Sequence, residues 1–441
     1  MTTISNTLIA TKVNNLSIVQ QVLVPGDKSI SHRAMILGGI AQGKTQVSGF
    51  LESADCLATM RAMQAMGVKI EKKKDKYIVH GVGKHGLQRP ADGKIDCGNS
   101  GTGLRLLSGI IATQNFAAEI FGDDSLNSRP MARITKPLQL MGAEVTANEN
   151  DTPPLKFSAV KNLQAITYQS PIASAQVKSC LLLAGLYAKG ETNLSEPKLS
   201  RDHTENMLQG FGVELSRNNL TVKMQGLQDL TATDIIVPAD ISSSAFFMVL
   251  ACLLPNSQIT FKNLCVNPSR TGVISILKLM GANIELTNQN TNAGEQIADV
   301  VVTSSQLHGI EIPKEYIASA IDEFPILFIA ASLAQGETKL TGAIELRKKE
   351  SDRISVMAKG LQKLGVGCHE LPDGIVINGT SSLQGAVVDS EDDHRCAMSF
   401  LIAAQFAESP ITVKNCANIM TSFPNFLEIC HNLGLSIQES K

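Results

Sequence analysis

The chain has 441 residues, of which 43% are hydrophobic, and it carries a formal net charge of −2 at pH 7. This length predicts two or three domains, and the balanced charge excludes a global basic field that would attract nucleic acid or a membrane. The longest apolar runs, such as residues 245–254, are too short to span a bilayer, and residues 1–13 lack the pattern of a signal peptide. Nine cysteines without a C-x-x-C pair argue against a disulfide framework or a zinc ribbon. We therefore expect a soluble, cytoplasmic protein.

The first predicted helix covers residues 29–40, where apolar residues recur at helical spacing and Asp27 or Ser29 can cap the start. It runs into GGIAQGKT at residues 38–45, which matches the nucleotide-binding pattern G-x-x-x-x-G-K-[ST]. That pattern binds phosphate only where a strand precedes the loop and a helix follows it. Here a helix precedes and strand-like sequence follows, so the order is reversed. We interpret Gly43 as a helix C-cap glycine and keep a nucleotide kinase only as a third alternative.

A repeat of about seventy residues runs along the whole chain. In each copy an apolar helix, a strand and a polar amphipathic helix come in this order, and strand-like sequence follows in all but the last copy. The second helix ends each time on an apolar residue followed by glycine. These glycines are Gly67, Gly142, Gly212, Gly281, Gly365 and Gly434. The pattern predicts an α/β (α+β) fold of six repeats.

The first helix of each repeat is apolar nearly all round, which predicts burial against the other repeats. The starts of these helices are polar instead, and a helix N-terminus carries a partial positive charge and free N–H donors. Several N-termini that converge, together with nearby cations, predict an anionic small-molecule substrate. The six starts are residues 27–33, 98–105, 174–178, 240–244, 322–325 and 392–395, and the cations are Lys28, Arg33, Arg129, Arg353 and Arg395.

Two similar tetrapeptides, VPGD at residues 24–27 and VPAD at residues 237–240, predict where the chain passes between two lobes. Residues 25–238 then form the first lobe of three repeats. Residues 1–24 plus 239–441 form the second, and the place of the N-terminal segment in it rests on the family resemblance described next.

Six segments of the chain resemble the 5-enolpyruvylshikimate-3-phosphate synthase family, in the family's order and over nearly the whole length. Members of this family transfer the enolpyruvyl group of phosphoenolpyruvate to the 5-hydroxyl of shikimate 3-phosphate by addition and elimination, and they release phosphate on the route to chorismate. The resemblance implies a monomer without metal or organic cofactor. It also implies two lobes, each of three βαβαββ repeats in an inside-out barrel, with the active site in the cleft between them. The matching segments are residues 25–33, 98–102, 128–131, 174–176, 347–353 and 393–395.

The reaction needs a proton for the methylene carbon, a base for the hydroxyl and fixed positive charge around phosphate and carboxylate. The resemblance implies that Asp322 is the base and that Lys28 and Glu350 are the proton-transfer pair. It places the phosphoenolpyruvate contacts at Lys28, Asn99, Gly101, Thr102, Arg129, Gln176, Arg353 and Arg395. It places the shikimate 3-phosphate contacts at Lys28, Ser29, Arg33, Ser174, Ala175, Gln176, Ser200, Arg201, Asp322 and Lys349.

Three positions depart from the family pattern. Thr421 stands where members often have lysine, so one phosphate contact is expected to be missing. Ala175 replaces a common second serine, and Leu106 replaces a common proline. We hypothesise that Leu106 shifts the helix that carries Gly101 and so lowers sensitivity to glyphosate, an inhibitor of this family.

Two other functions compete with this interpretation. The related UDP-N-acetylglucosamine enolpyruvyl transferase is disfavoured because residues 115–118 contain no cysteine and because Ser29, not asparagine, follows Lys28. A non-catalytic anion-binding member of the fold is disfavoured because it would not need Asp322, Glu350 and Lys28 together. Taken singly, residues 347–353 are typical of a solvated charge run, and residues 392–395 of an acidic helix cap with its own counter-ion.

Overall fold

A computed structural model describes residues 5–292 and 294–440 of the chain. The predicted second lobe includes residues 1–4, 293 and 441, which lie outside the described residues. The chain divides into two compact units. We call Gly26–Pro238 with Thr291–Glu295 the N-unit, and Met1–Pro25, Ala239–Asn290 and Gln296–Lys441 the C-unit. Among the described residues, no helix combines the length and apolar character needed to cross a membrane.

The helices are numbered in chain order over the described residues. They are α1 Lys28–Ile40, α2 Ala54–Ala65, α3 Gly101–Ile111, α4 Asp124–Asn127, α5 Ala132–Leu140, α6 Ala175–Gly185, α7 His203–Gly210, α8 Ile241–Leu253, α9 Gly272–Leu279, α10 Phe324–Ser332, α11 Arg353–Lys363, α12 His394–Ala403 and α13 Phe426–Asn432. Short 3-10 helices occupy Lys314–Tyr316, Ala318–Ala320, Ile344–Lys348, Ala404–Phe406 and Ala417–Thr421.

The strands are numbered in the same way. They are β1 Thr7–Thr11, β2 Val19–Val22, β3 Gln42–Ser48, β4 Lys69–Lys73, β5 Lys76–Val82, β6 Lys94–Asp96, β7 Ala118–Phe121, β8 Val145–Thr146, β9 Leu155–Phe157, β10 Thr167–Gln169, β11 Glu191–Ser195, β12 Leu215–Asn218, β13 Thr221–Gln225, β14 Ile235–Ile236, β15 Gln258–Cys265, β16 Asn283–Asn292, β17 Glu295–Thr303, β18 Glu337–Leu340, β19 Cys368–Leu371, β20 Gly374–Asn378, β21 Val387–Asp389, β22 Ile411–Lys414 and β23 Ser436–Glu439.

These strands form six small sheets, which correspond to the six predicted repeats. The strand orders are β14-β3-β5-β4, β6-β7-β9-β8, β10-β11-β13-β12, β16-β17-β15-β2, β18-β20-β19 and β21-β22-β1-β23. In the second sheet, for example, β6 is parallel to β7 and the other two pairings are antiparallel. Each repeat carries one apolar helix, one amphipathic helix and one such sheet, which gives the βαβαββ order; in the repeat of β18-β20-β19 the first strand is replaced by isolated bridges such as Glu311 with Lys339. The predicted α/β fold of six repeats is confirmed.

The last sheet needs a strand from the other end of the chain. β1 pairs with both β22 and β23, with Leu8 opposite Val413 in the first pairing and opposite Glu439 in the second. The prediction that no strand follows the last repeat's second helix is therefore wrong, since β23 follows α13 and closes against β1.

Local capping explains where the helices begin and end. The side chains of Asp27, Ser100, Ser174, Asp240 and Asp393 each accept a backbone N–H at the start of an apolar helix. The six glycines that follow the amphipathic helices have φ between 82° and 98°, a conformation that favours glycine. The polar residues at the helix starts and the glycines after the amphipathic helices thus both have a physical cause.

The interpretation of Gly43 needs correction, although the reversed order of elements is confirmed. α1 ends at Ile40 with Ala41 as its C-cap, and Gly43 lies inside β3 with a φ of 110°. β3 therefore starts earlier than predicted and contains the GKT sequence itself. Since a helix precedes and a strand holds these residues, they do not form a phosphate-binding loop.

The apolar helices form the core of each unit. In the N-unit, α3 packs against both α1 and α6, and in the C-unit, α8, α10 and α12 pack against one another. All nine residues of α10 are buried. Burial of a leucine or phenylalanine side chain contributes about 1.5–3 kcal/mol, so these cores hold the polar helix starts firmly in place.

Candidate active site

Three carboxylates surround one buried guanidinium in the C-unit. Arg353, the first residue of α11, is 1% exposed. Its Nε lies 2.8 Å from Asp393 Oδ2, and its Nη2 lies 2.6 Å from Glu350 Oε2. Its Nη1 lies 3.4 Å from Asp322 Oδ1. Through these ion pairs, Arg353 links the start of α11 to the start of α12 and to the segment before α10.

Two further cations contact the same segment. Lys349 Nζ lies 3.0 Å from Asp322 Oδ1, and Arg395 Nη1 donates to the Asp322 carbonyl oxygen at 3.1 Å. Arg395 Nη1 is also 3.9 Å from Glu323 Oε1. The structure thus brings together the five C-unit residues that were predicted for the site: Asp322, Lys349, Glu350, Arg353 and Arg395.

The charges of this cluster stabilise one another. Burial opposes the charge on Arg353, but Asp393, Glu350 and Asp322 more than offset it and raise the pKa of Arg353 above its usual range. Burial likewise opposes ionisation of Asp393, but attraction to Arg353 outweighs it and lowers the pKa of that carboxyl. Both groups are therefore charged at neutral pH.

The sequence marked Asp393 as part of a helix start and of a family segment, but not as a site residue. Its carboxylate accepts the backbone N–H groups of Arg395 at 2.9 Å and Cys396 at 3.4 Å, and the Ser351 hydroxyl at 3.3 Å. It is thus the acidic cap of α12, and its counter-ion is Arg353. The cap pattern was a usable signal for Asp393, but nothing in the local sequence identified the partner.

In the N-unit, Lys28 opens α1 and lies beside an aspartate of α2. Its Nζ is 2.5 Å from Asp55 Oδ2, and the two side chains are 21% and 8% exposed. Asp55 was not among the predicted site residues. The candidate proton-transfer lysine is therefore held by an ion pair.

Arg33 is buried one turn further along α1. Its Nε donates to Thr204 Oγ1 at 2.6 Å, its Nη2 to Ser179 Oγ at 2.8 Å and its Nη1 to the Ser29 carbonyl oxygen at 2.8 Å. Burial lowers the pKa of Arg33 to about 10, so it stays charged at neutral pH. Nearby Arg201 contributes a small part of that lowering. The roles of Ser29, Arg33 and Arg201 towards shikimate 3-phosphate stay predictions.

The N-unit residues predicted for phosphoenolpyruvate are joined by hydrogen bonds around the start of α3. Arg129 Nη2 donates to Asn99 Oδ1 at 3.3 Å, and Gln176 Nε2 donates to Thr102 Oγ1 at 2.9 Å. Arg105, which was not predicted, donates to Gln176 Oε1 at 2.7 Å. These contacts fix the direction of the Gln176 amide.

Gly101 leaves room for these arginines at the first residue of α3. A Cβ there would lie 2.9 Å from Arg105 Nη1 and 3.4 Å from Arg129 Nη1. A side chain at this position would therefore displace Arg105, which also donates to the Gly101 carbonyl oxygen at 3.3 Å. Because Arg105 Nη1 is the end of a flexible side chain, a small shift of that side chain would make room.

The remaining predicted residues lie at the start of α6 and in the loop after β11. Ser174 caps α6, and Ala175 is its first residue. The Ser200 hydroxyl donates to the Glu196 carboxylate. Two residues that depart from the family pattern also have defined positions. Leu106 is buried inside α3. Thr421 ends a 3-10 helix, and its hydroxyl donates to the Asn418 carbonyl oxygen at 2.7 Å.

Over the described residues, no three His, Cys, Asp or Glu side chains are grouped to hold a metal ion.

Comparisons with known proteins show which family the chain resembles. The family model described as EPSP synthase (3-phosphoshikimate 1-carboxyvinyltransferase) matches residues 14–430. A relative of that enzyme name from Methylococcus capsulatus is 54% identical over 420 residues, which are 95% of this chain and 96% of the relative. One from Coxiella burnetii is 50% identical over 420 residues and covers 95% of each chain. A solved EPSP synthase structure from Acinetobacter baumannii superposes with a TM-score of 0.89 at 46% identity, over 99% of this chain and 100% of that one. The chain therefore belongs to the EPSP synthase family.

Proposed function

We propose that this chain transfers the enolpyruvyl group of phosphoenolpyruvate to the 5-hydroxyl of shikimate 3-phosphate and releases phosphate. The observation that carries the proposal is the C-unit cluster. There the Asp322 carboxylate is held by Lys349 and Arg353, and Glu350 lies on the same guanidinium. A fixed carboxylate base beside a second carboxyl group suits a reaction that moves two protons.

In the proposed mechanism Asp322 takes the proton of the acceptor hydroxyl while that oxygen adds to C2 of phosphoenolpyruvate. Lys28 and Glu350 form the proton-transfer pair, which supplies the proton that C3 gains. In the elimination step the C2–O bond to phosphate breaks, phosphate leaves with the electron pair, and one proton of the C3 methyl group returns to the proton-transfer pair. The hydroxyl proton held by Asp322 passes to the departing phosphate. The enol ether of the product results, so atoms and charge balance.

The cationic side chains provide the fixed charge that this chemistry needs. Arg353 and Arg395 are proposed to bind the carboxylate of phosphoenolpyruvate, and Arg129 and Lys28 its phosphate, since guanidinium groups suit carboxylates and cations suit phosphate. Asn99, Gly101, Thr102 and Gln176 complete the proposed contacts on the N-unit side. Because these groups are held by a packed fold, their charge needs little rearrangement as the transition state forms.

The acceptor substrate is proposed to contact residues of both units. These are Lys28, Ser29, Arg33, Ser174, Ala175, Gln176, Ser200, Arg201, Asp322 and Lys349. Residues 25–238 and residues 1–24 plus 239–441 would then be the two lobes that act on one pair of substrates. We also propose a cytoplasmic monomer, which analytical ultracentrifugation and cell fractionation would test.

Phosphate release from phosphoenolpyruvate tests the proposed function directly. The assay is run with shikimate 3-phosphate, with UDP-N-acetylglucosamine and with no acceptor. We expect release only with shikimate 3-phosphate. Release only with the nucleotide sugar would assign the chain to the other transferase, and tight ligand binding without release would make it a binding protein.

Leu106 gives a prediction about inhibition. It is the sixth residue of α3, and a proline there would remove a helical N–H donor and press its ring against the preceding turn. We expect the helix start with Gly101 to shift, and the inhibition constant of glyphosate against Leu106→Pro to fall by roughly tenfold. The measurement is glyphosate inhibition at varied phosphoenolpyruvate. Leu106→Ala, which keeps the backbone N–H, is the control, and an unchanged constant in the proline variant would refute the hypothesis.

A further inference from the structure

One buried carboxylate in the N-unit ties two proposed substrate-binding segments together. Glu196 follows β11 and is buried. Its Oε1 accepts the backbone N–H of Ser174 at 3.0 Å. The Ser200 hydroxyl lies 2.7 Å from Oε1 and 2.8 Å from Oε2 of the same carboxylate. The start of α6 and the loop that carries Ser200 are therefore held at a fixed spacing by Glu196.

Lys178 fixes Glu196 in turn. Its Nζ lies 2.9 Å from Glu196 Oε2 and 2.8 Å from Glu205 Oε1, and it donates to the Ser200 carbonyl oxygen at 3.5 Å. Burial disfavours the ammonium, but the two glutamates more than offset it and raise the pKa of Lys178 above its usual value. Since Lys178 lies one turn after Ser174 on α6, this ion pair anchors Glu196 to the helix whose start it holds.

Positive charge lies next to Glu196. Lys178 contacts both Glu196 and Glu205, and Arg33 interacts electrostatically with Glu205. The ion pair with Lys178 compensates the charge of the Glu196 carboxylate, which would otherwise repel an anionic substrate.

We propose that Glu196 is a positioning residue for the acceptor substrate, which holds Ser174 and Ser200 where shikimate 3-phosphate needs them. The inference rests on the proposed function, from which the roles of the two serines come. Of the N-unit residues proposed for phosphoenolpyruvate, Asn99 is oriented by Arg129 and makes no hydrogen bond with Glu196 within the described residues. Gln176, in contrast, lies on α6, receives a hydrogen bond from Arg105 and is proposed for both substrates. Glu196 should therefore affect shikimate 3-phosphate more strongly than phosphoenolpyruvate.

Steady-state kinetics of Glu196→Ala and Glu196→Gln, with each substrate varied in turn, test this inference. Loss of the carboxylate frees both serine segments, so we expect the alanine variant to raise KM for shikimate 3-phosphate by roughly tenfold or more. KM for phosphoenolpyruvate should change less than KM for shikimate 3-phosphate, and kcat should stay within about twofold. The glutamine oxygen can still accept from Ser174 and Ser200, but its NH2 group would face the Lys178 ammonium, so KM for shikimate 3-phosphate in Glu196→Gln should lie between the values of wild type and Glu196→Ala. Glu191→Ala, at an exposed glutamate of β11, is the matched control and should change none of these values.

Three results would overturn the inference. The first is an unchanged KM for shikimate 3-phosphate in Glu196→Ala. The second is a parallel change in both KM values and kcat together with a drop in Tm, as a purely structural role would require. If the alanine variant does not fold, Glu196→Asp replaces it, since the shorter side chain keeps the charge but cannot reach both serines. The third result is an unchanged KM for shikimate 3-phosphate in Glu196→Asp. Absence of turnover with shikimate 3-phosphate in the wild type would overturn the proposed function instead, and this inference with it.

Discussion

Asp322→Asn is expected to lower kcat for phosphate release by about 10³-fold, because asparagine keeps the shape of the side chain but cannot take the hydroxyl proton. General base catalysis typically contributes 10²–10⁴-fold. Lys349 and Arg353 would each lose a charged partner, but both can still donate to the amide oxygen. The measurement is kcat at saturating concentrations of both substrates.

A calorimetric measurement of substrate binding distinguishes loss of the catalytic base from loss of the binding site. Asp322→Asn should bind shikimate 3-phosphate with an affinity within about tenfold of wild type, because the loss concerns one contact among many. A kcat within tenfold of wild type would exclude Asp322 as the base. A large loss of binding with little change in kcat would make it a binding residue only.

The repeat was predictable from the sequence because its signals are local. A glycine that ends a helix, such as Gly67 after Met66, and a cap residue such as Asp27 act within a few residues of themselves. The same reasoning failed at Gly43, because glycine is favoured both at a helix C-cap and at a strand position with positive φ. Local sequence alone does not distinguish these two cases.

Long-range pairings were not predictable from the residues. β1 and β22 pair across about four hundred positions, Leu8 with Val413, and no local pattern encodes that partner. The same limit applies to the candidate site. The motifs identified Arg353 and Gln176, but the contacts that orient them, from Asp393 and from Arg105, became visible only through the packing of separate helices. A sequence shows the residue types at helix starts, whereas the fold decides which of them meet.

Asp393→Asn is expected to cost about 3 kcal/mol of unfolding free energy and to raise KM for phosphoenolpyruvate. Removing one partner of a buried ion pair leaves the other charge poorly compensated, which typically costs 3–5 kcal/mol. Asp393 and Arg353 are 0% and 1% exposed, but Arg353 keeps Glu350 and Asp322, so we expect the lower end of that range. Asparagine is also a good N-cap, so the start of α12 should persist. Urea unfolding and steady-state kinetics with varied phosphoenolpyruvate measure the two effects.

The pH dependence distinguishes the ion pair from a loss of packing. Because the pKa of Asp393 is lowered in the folded state, its stabilising contribution is fully present above the ordinary aspartate pKa of about 3.9 and is lost as the pH falls through the lowered value. The stability difference between wild type and Asp393→Asn should therefore be constant near neutral pH and shrink in acid. Asp392→Asn is the matched control, since Asp392 is exposed and its φ of 58° suits asparagine. A stability difference that persists unchanged in acid would show that Asp393 acts through packing, and an unchanged KM would show that Arg353 does not depend on it for its orientation.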